Sequence, residues 1–265
     1  MSVYENIVSR TPIDKGWSGD QKYCAVTADG KKHLLRISPI DRLERKRREY
    51  EKMSEVAQLG IPMCLPVEFG TSEEGAYSIQ SWIDGEDAEE KVMAMDVAEQ
   101  YRYGLDAGRI LAKIHTIPAP VDAPDWELRF NAKIDRKIAM YENCELKYES
   151  GDAFLCYLAE NRHLLSGRPQ SYQHGDYHIG NMMIDQDGVL TIIDFDWMTL
   201  VILGRNSTAL YGAPRLRLPL LPVWLTATLG ARFRWSFGNC WHCIFAPTPS
   251  VLFPGRFPSE RERFG

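Results

Sequence analysis

The sequence predicts an α+β chain of two lobes, a small, mainly antiparallel β lobe over residues 1–83 and a larger helical lobe over residues 84–197. Three observations carry this. The first ~80 residues read as short extended runs separated by turn residues, with one helix among them. Beyond Asp84-Gly85 the apolar spacing changes to three and four, the period of a helix. After Trp197 the composition breaks, and residues 198–265 read as an aberrant segment without a defined fold.

In the first lobe, Lys22 to Val26 and Lys32 to Ile37 read as strands joined by a turn at Asp29-Gly30. Asp41 is placed to cap a helix that runs to about Leu59, where Gly60 and Pro62 stop it. Tyr50, Met53 and Val56 or Ala57 form its apolar stripe. Leu65 to Phe69 and Ala76 to Trp82 are two further extended runs. In the second lobe, Ala98, Tyr101, Leu105, Gly108, Ala112 and His115 step along one helix face, and Pro118 and Pro120 end that helix. Ile134, Ile138 and Tyr141 mark another helix, and Phe154, Tyr157 and Leu158 a third. Met182 to Ile184 and Val189 to Ile193 are short strands around the turn Gln186-Asp187-Gly188.

At 265 residues, 45% of them hydrophobic and 25% charged, the chain can bury a substantial core. A net charge of −5 argues against a nucleic-acid binder that works by neutralising phosphates, and favours a cationic ligand. Six unevenly spaced cysteines do not form a disulfide framework, and the opening Met-Ser-Val-Tyr-Glu-Asn is not a signal peptide. A cytoplasmic location follows as the expectation. No membrane span is expected, since the most apolar run, Leu216 to Leu229, is broken by Arg217, Pro219 and Pro222.

Residues 198–265 hold two acidic residues, Glu260 and Glu262, of the chain's 36, together with eight arginines, no lysine and seven prolines. No helical or strand period persists through them. The segment is too rich in Leu, Phe and Trp for a solvated basic tail. It reads instead as the product of a reading frame shifted by loss of one base near Trp197–Met198. Codons for the residues after Met198, read one base earlier, can spell Asp-Phe-Gly-Asp-Pro. Those for Gly230 to Ile244 can spell an amphipathic helix in the same frame. On this reading the CxxC at Cys240 to Cys243 is accidental, and it lacks a second pair that would complete a zinc site.

The stretch that carries chemistry is His174-Gly-Asp176-Tyr-His178-Ile-Gly-Asn181, followed by Ile193-Asp194-Phe195-Asp196. Asp176 and Asn181 are five apart, and Asp194 lies 18 beyond Asp176. Phosphoryl transfer needs a carboxylate to orient a hydroxyl and receive its proton, and hard oxygen ligands for the Mg²⁺ that neutralises phosphates. Asp176 suits the first role, and Asn181 and Asp194 the second. His174 and His178 read as structural hydrogen-bonding residues.

This set resembles the catalytic loop and metal-binding Asp of the protein-kinase-like fold. With Gly after His and Asp-Phe-Asp in place of Asp-Phe-Gly, it resembles the aminoglycoside phosphotransferase family over about residues 15–197. The resemblance implies ATP and Mg²⁺ as cofactors and a small-molecule hydroxyl acceptor. That acceptor could be a cationic aminoglycoside antibiotic, with choline-like, sugar-amine and macrolide acceptors open beside it. It implies a cation on the third strand, where Arg36 stands, paired with a helix Glu. Glu49 is the best placed, with Glu44 and Glu51 as rivals. It also implies a phosphate loop at Trp17-Ser18-Gly19-Asp20, with Ser18 on the nucleotide, and an adenine-binding hinge at Gln80, Trp82 and Ile83. A protein kinase fits less well, for no activation segment or Ala-Pro-Glu follows Asp194. The family continues past this strand with helices that complete the substrate pocket. The chain as written lacks them, which raises the alternative of an inactive remnant that at most binds nucleotide. The oligomeric state is not legible.

Overall fold

The computed structural model describes residues 2–14 and 19–202. They form two compact units, one holding the described residues up to 121 together with 170–202, the other residues 122–169. The expected lobe boundary near residue 83 falls inside the first unit.

The first unit opens with an antiparallel sheet of β1 (Ile7–Pro12), β2 (Gln21–Thr27), β3 (Lys32–Ser38), β4 (Pro66–Ser72) and β5 (Gly75–Ser81), in the order β1-β2-β3-β5-β4. Gly30, at φ +84°, turns β2 into β3 as expected, because a side chain there would be strained. Ala25, Leu35, Ile37, Tyr77 and Ile79 form one apolar face of this sheet. Arg36 lies opposite Lys22 on β2 and Ser78 on β5. β1 was not expected. It is an edge strand with four exposed residues, so its sequence carries little apolar alternation.

Between β3 and β4 lies α1 (Leu43–Ala57), with Met53 and Val56 buried and Tyr50 half-buried. Asp41 does not cap it. Asp41 sits in a 3-10 turn, Ile40–Arg42, and the cap position falls to Arg42. Past Gly60 the chain crosses to a second sheet, made of β6 (Gly85–Asp87), β8 (Met182–Asp185) and β9 (Leu190–Ile192). The Cys64 amide donates to the Ile192 carbonyl at 3.1 Å, and the Ile192 amide to the Pro62 carbonyl at 3.0 Å. β7 (Gln170–Gln173) pairs antiparallel with β10 (Thr199–Ile202). The first residues of the segment read as aberrant therefore join a ladder, while residues 203–265 and the CxxC lie outside the described residues.

Two further helices, α2 (Ala88–Met93) and α3 (Val97–Ile114), complete this unit. Asp96 caps α3 in a reciprocal box with Glu99. The buried face of α3 is Tyr103, Gly104, Ala107, Gly108, Ile110, Leu111 and Ile114, which shares only Gly108 with the stripe from Ala98 to His115. Both stripes have helical spacing. The one with two isoleucines and a leucine removes more apolar area from water, and it packs with Val56, Ile184 and Ile192 in the main core. In the second unit, α4 (Trp126–Glu142) buries Trp126, Phe130 and Ile134 and is capped by Asp125. α5 (Gly151–Asn161) carries the half-buried Phe154, Tyr157 and Leu158. Among the described residues no helix is long and apolar enough to cross a membrane.

Candidate active site

β7 delivers the chain into His174-Gly175-Asp176, where Gly175 turns with φ +88°. His174 is fully buried. It donates from Nε2 to the Ile193 carbonyl at 3.0 Å and meets the Phe195 ring edge-on at 4.7 Å. Burial pushes its pKa down to about 4, so the ring is neutral at pH 7. It is a strut between the Asp176 loop and the Asp194 loop, the structural role expected of it.

Asp176 is half-exposed, and its Oδ2 faces two donors. Asn181 Nδ2 donates to it at 3.0 Å and to the Asp176 main-chain oxygen at 2.9 Å, and His178 Nε2 stands 3.3 Å away. The Gly180 amide donates to His178 Nδ1 at 3.1 Å, which leaves the ring proton on Nε2, toward Asp176. Chiefly through His178, with burial opposing, the carboxyl is held below its ordinary range, while Asp176 pulls the His178 pKa up. Asp176 Oδ1 has no partner among the described residues. With the Asn181 amide nitrogen engaged, its Oδ1 takes no hydrogen bond among the described residues and is open as an acceptor. The Ile193 amide donates to the Asn181 carbonyl at 3.0 Å, so Asn181 is fixed beside the Asp194 loop.

Asp194 adopts φ +64°, ψ +64°, the one non-glycine residue at positive φ among the described residues. Such a conformation persists only where the surroundings impose it, and it concentrates at functional sites. Asp194 and Asp196 both reach Arg36 on β3. Nη1 stands 3.5 Å from Asp194 Oδ1, and Nη2 contacts Asp196 Oδ2 and lies 3.1 Å from Asp20 Oδ2. Arg36 is 4% exposed. Burial opposes its charge, but the three aspartates more than restore it and raise its pKa further. The Asp20 side chain is fully buried and takes further bonds from Ser38 Oγ and Lys46 Nζ, both at 2.8 Å. Burial works to raise its pKa, yet Lys46, Ser38 and Arg36 hold it below the ordinary range.

The pairing expected between Arg36 and Glu49 is not made. Glu49 Oε2 lies 2.9 Å from Lys46 Nζ, and its Oε1 accepts from Arg45 Nε at 2.7 Å. Lys46 is one turn away on the same helix, so it reaches Glu49 at little entropic cost, while the aspartates converge on Arg36. Of the three candidate glutamates, Glu49 faces the site, and Glu44 and Glu51 are exposed.

A shallow recess with room for little more than a water molecule (about 20 Å³), partly open to solvent, is lined by Arg36, Lys46, Glu49, Gln80, Phe195 and Asp196 among others. Gln80 therefore joins the site, buried at the end of β5. Trp82 and Ile83 follow, half-buried, and no main-chain hydrogen bond occupies their amides and carbonyls among the described residues. Ser18 lies outside the described residues. Sequence reasoning missed Lys46, and it named Asp20 and Asp196 within their stretches without giving either a role of its own. Lys46 had a signal: it shares a helix face with Glu49 and Met53 at i, i+3 and i+7, and a charged pair on an apolar stripe is unusual. Among the described residues no cluster of three or more His, Cys, Asp or Glu is arranged around a metal position.

Residues 9–200 match the model of the phosphotransferase enzyme family. The matched stretch ends beside the composition break at Trp197–Met198. No curated protein sequence matches the chain. Solved structures share its fold at low identity. The macrolide 2′-phosphotransferase of Brachybacterium faecium is 15% identical, with 92% of this chain and 84% of that one covered at a TM-score of 0.64. ADP-bound aminoglycoside phosphotransferase APH(2″)-Ib is 13% identical, with 98% and 93% covered at 0.66. The streptomycin–ATP–APH(2″)-IIa ternary complex is 13% identical, with 93% and 88% covered at 0.63.

Proposed function

The chain belongs to the phosphotransferase enzyme family, and from that premise we propose that it moves the γ-phosphate of ATP to a hydroxyl of a small molecule. The observation that carries this is the pairing of Asp176 with Asn181, which leaves one oxygen on each side chain open. Asp176 Oδ1 accepts a hydrogen bond from the acceptor hydroxyl and orients it. As the oxygen–phosphorus bond forms and ADP leaves, that carboxylate takes the hydroxyl proton. Its depressed pKa keeps it ionised and ready at neutral pH. Asn181 Oδ1 and an Asp194 carboxylate oxygen are the hard-oxygen ligands that would hold Mg²⁺. When bound, Mg²⁺ supplies neutralisation of phosphate charge. Arg36 fixes Asp194 and Asp196, and Gln80 with the open main chain of Trp82 and Ile83 provides the nucleotide-base side, so that residues 1–83 serve the nucleotide.

Net charge of −5 favours a cationic acceptor, and an aminoglycoside is the class to test first, with antibiotic resistance as its consequence. The streptomycin and ATP named for a structure of the same fold agree with that choice. A cytoplasmic location goes with this reading. The test is ADP release from MgATP across an aminoglycoside panel, for wild type and Asp176→Asn. Wild-type turnover that the variant loses while keeping nucleotide binding supports the assignment, and turnover retained in the variant overturns it.

A second reading has its own support. The family match and the ordinary composition end together near Trp197–Met198. On that reading this chain binds nucleotide and transfers nothing. Thermal stabilisation by MgATP without product from any acceptor would favour it. Resequencing the coding DNA across Trp197–Met198 decides whether residues 198–265 belong to the protein.

A further inference from the structure

We infer that Lys46 on α1 is the side chain that meets the nucleotide's phosphates, and that Arg36 on β3 is a positioning residue acting through Asp194 and Asp196. The inference rests on the nucleotide reading above.

Arg36 is unsuited to receive a phosphate. Its Nη1 is committed to Asp194 and its Nη2 to Asp20 and Asp196, and it is 4% exposed. Turning it toward a ligand would strip the Nη2 donor from Asp20, whose carboxylate is fully buried. Leaving a buried charge without its donors is costly. Lys46 stands differently. Its ammonium has three N–H donors. One is given to Asp20 Oδ2 at 2.8 Å, and Glu49 Oε2 faces the ammonium as an ion pair at 2.9 Å. Asp196 Oδ2, at 3.9 Å, is too far to take another of the ammonium's N–H donors. Lys46 lines the same recess as Gln80 and Phe195. A compact ammonium on a flexible stem can swing to a phosphate oxygen while keeping its two anchors. Glu49 is thus explained as the residue that holds Lys46. Lys22 is the other cation near the centre, opposite Arg36 across β2 and β3, and it serves as the comparison.

The experiment measures affinity of the full chain for ATP, ADP and adenosine, with Mg²⁺ present, by calorimetry. It uses wild type, Lys46→Met, Lys46→Gln, Lys46→Arg and Lys22→Met, each checked for a native circular-dichroism melt. Loss of a charge-assisted contact predicts ATP binding weakened roughly 10- to 100-fold in Lys46→Met, with adenosine binding unchanged. Lys46→Arg should restore part of the loss, and Lys22→Met should have the smaller effect. Should Lys46→Met fail to fold, Lys46→Gln, which can still bond Asp20 and Glu49, carries the same expectation. An unchanged ATP-to-adenosine ratio in the Lys46 variants, or a larger loss in Lys22→Met, overturns the assignment while leaving nucleotide use intact. A wild type that binds ATP no better than adenosine overturns both.

Discussion

Asn181 spends its side-chain amide on Asp176, donating to the main-chain oxygen at 2.9 Å and to carboxylate Oδ2 at 3.0 Å. One bond fixes which oxygen of Asp176 is free, and by elimination which atom of Asn181 is free. Replacing Asn181 by Asp should put a second negative charge against Asp176 and raise its pKa. The acid limb of the pH–rate profile should then move to higher pH, with turnover lowered. An unmoved limb would show that Asp176 is not the group titrating.

His178 is the larger influence holding Asp176 ionised. His178→Phe should raise the Asp176 pKa and shift the same acid limb upward. Gly180→Ala should act in the same direction. A Cβ at Gly180 would stand 2.9 Å from the His178 ring and push it off Asp176. The native pKa of Asp176 is depressed. Its stabilising contribution is therefore full above the unfolded carboxylate value, about 3.9, and is lost as pH falls through the lower native one. Urea midpoints of wild type and His178→Phe measured below pH 5 check the sign.

His174 is buried neutral with a pKa of about 4 against about 6.5 unfolded. Between those values the unfolded chain binds the extra proton, so stability falls as pH drops from about 6.5 toward about 4. His115, also pushed down to about 4 by burial, adds to the same window. His174→Phe should flatten part of that slope. It should also cost about 1–3 kcal/mol at pH 7, because the Ile193 carbonyl loses its donor. Denaturant titrations at pH 7 and pH 5 test both.

Arg36→Met leaves Asp20 and Asp196 without their shared donor and should destabilise by about 3–5 kcal/mol. Adding Asp196→Asn should recover part of this, since it removes one of the stranded charges. A double variant no more stable than the single one would mean that Asp196 does not depend on Arg36.

Asp194→Asn should leave thermal stability close to wild type, because Asn tolerates the left-handed backbone at φ +64°, yet abolish transfer. Asp194→Ala should cost about 1–2 kcal/mol more than Asp194→Asn from backbone strain alone. Equal melting temperatures for the two would remove the strain argument.

Much of the fold could be read from the chain where patterns were strong. The β2–β3 hairpin, α1, β5 and the β8–β9 pair follow turn residues and periodicity. β1, β6 and α2 could not be read, since edge strands and a six-residue helix bury too little to mark the sequence. The α3 face was misjudged because two stripes of helical spacing coexist, and only the surrounding core selects between them.

The sequence by itself determined the Asp176, Asn181 and Asp194 set. Asp176 and Asn181 share one loop, and a two-stranded turn brings Asp194 back beside them, so short-range chain geometry places all three. Only the tertiary structure decided the partners of Arg36 and Glu49. Arg36 meets Asp194 and Asp196 across 158 and 160 residues, and Asp20 from a separate loop. Several carboxylates lie within a plausible reach of one guanidinium. Which of them it takes depends on which are buried beside it, and that is set by packing rather than by spacing along the chain.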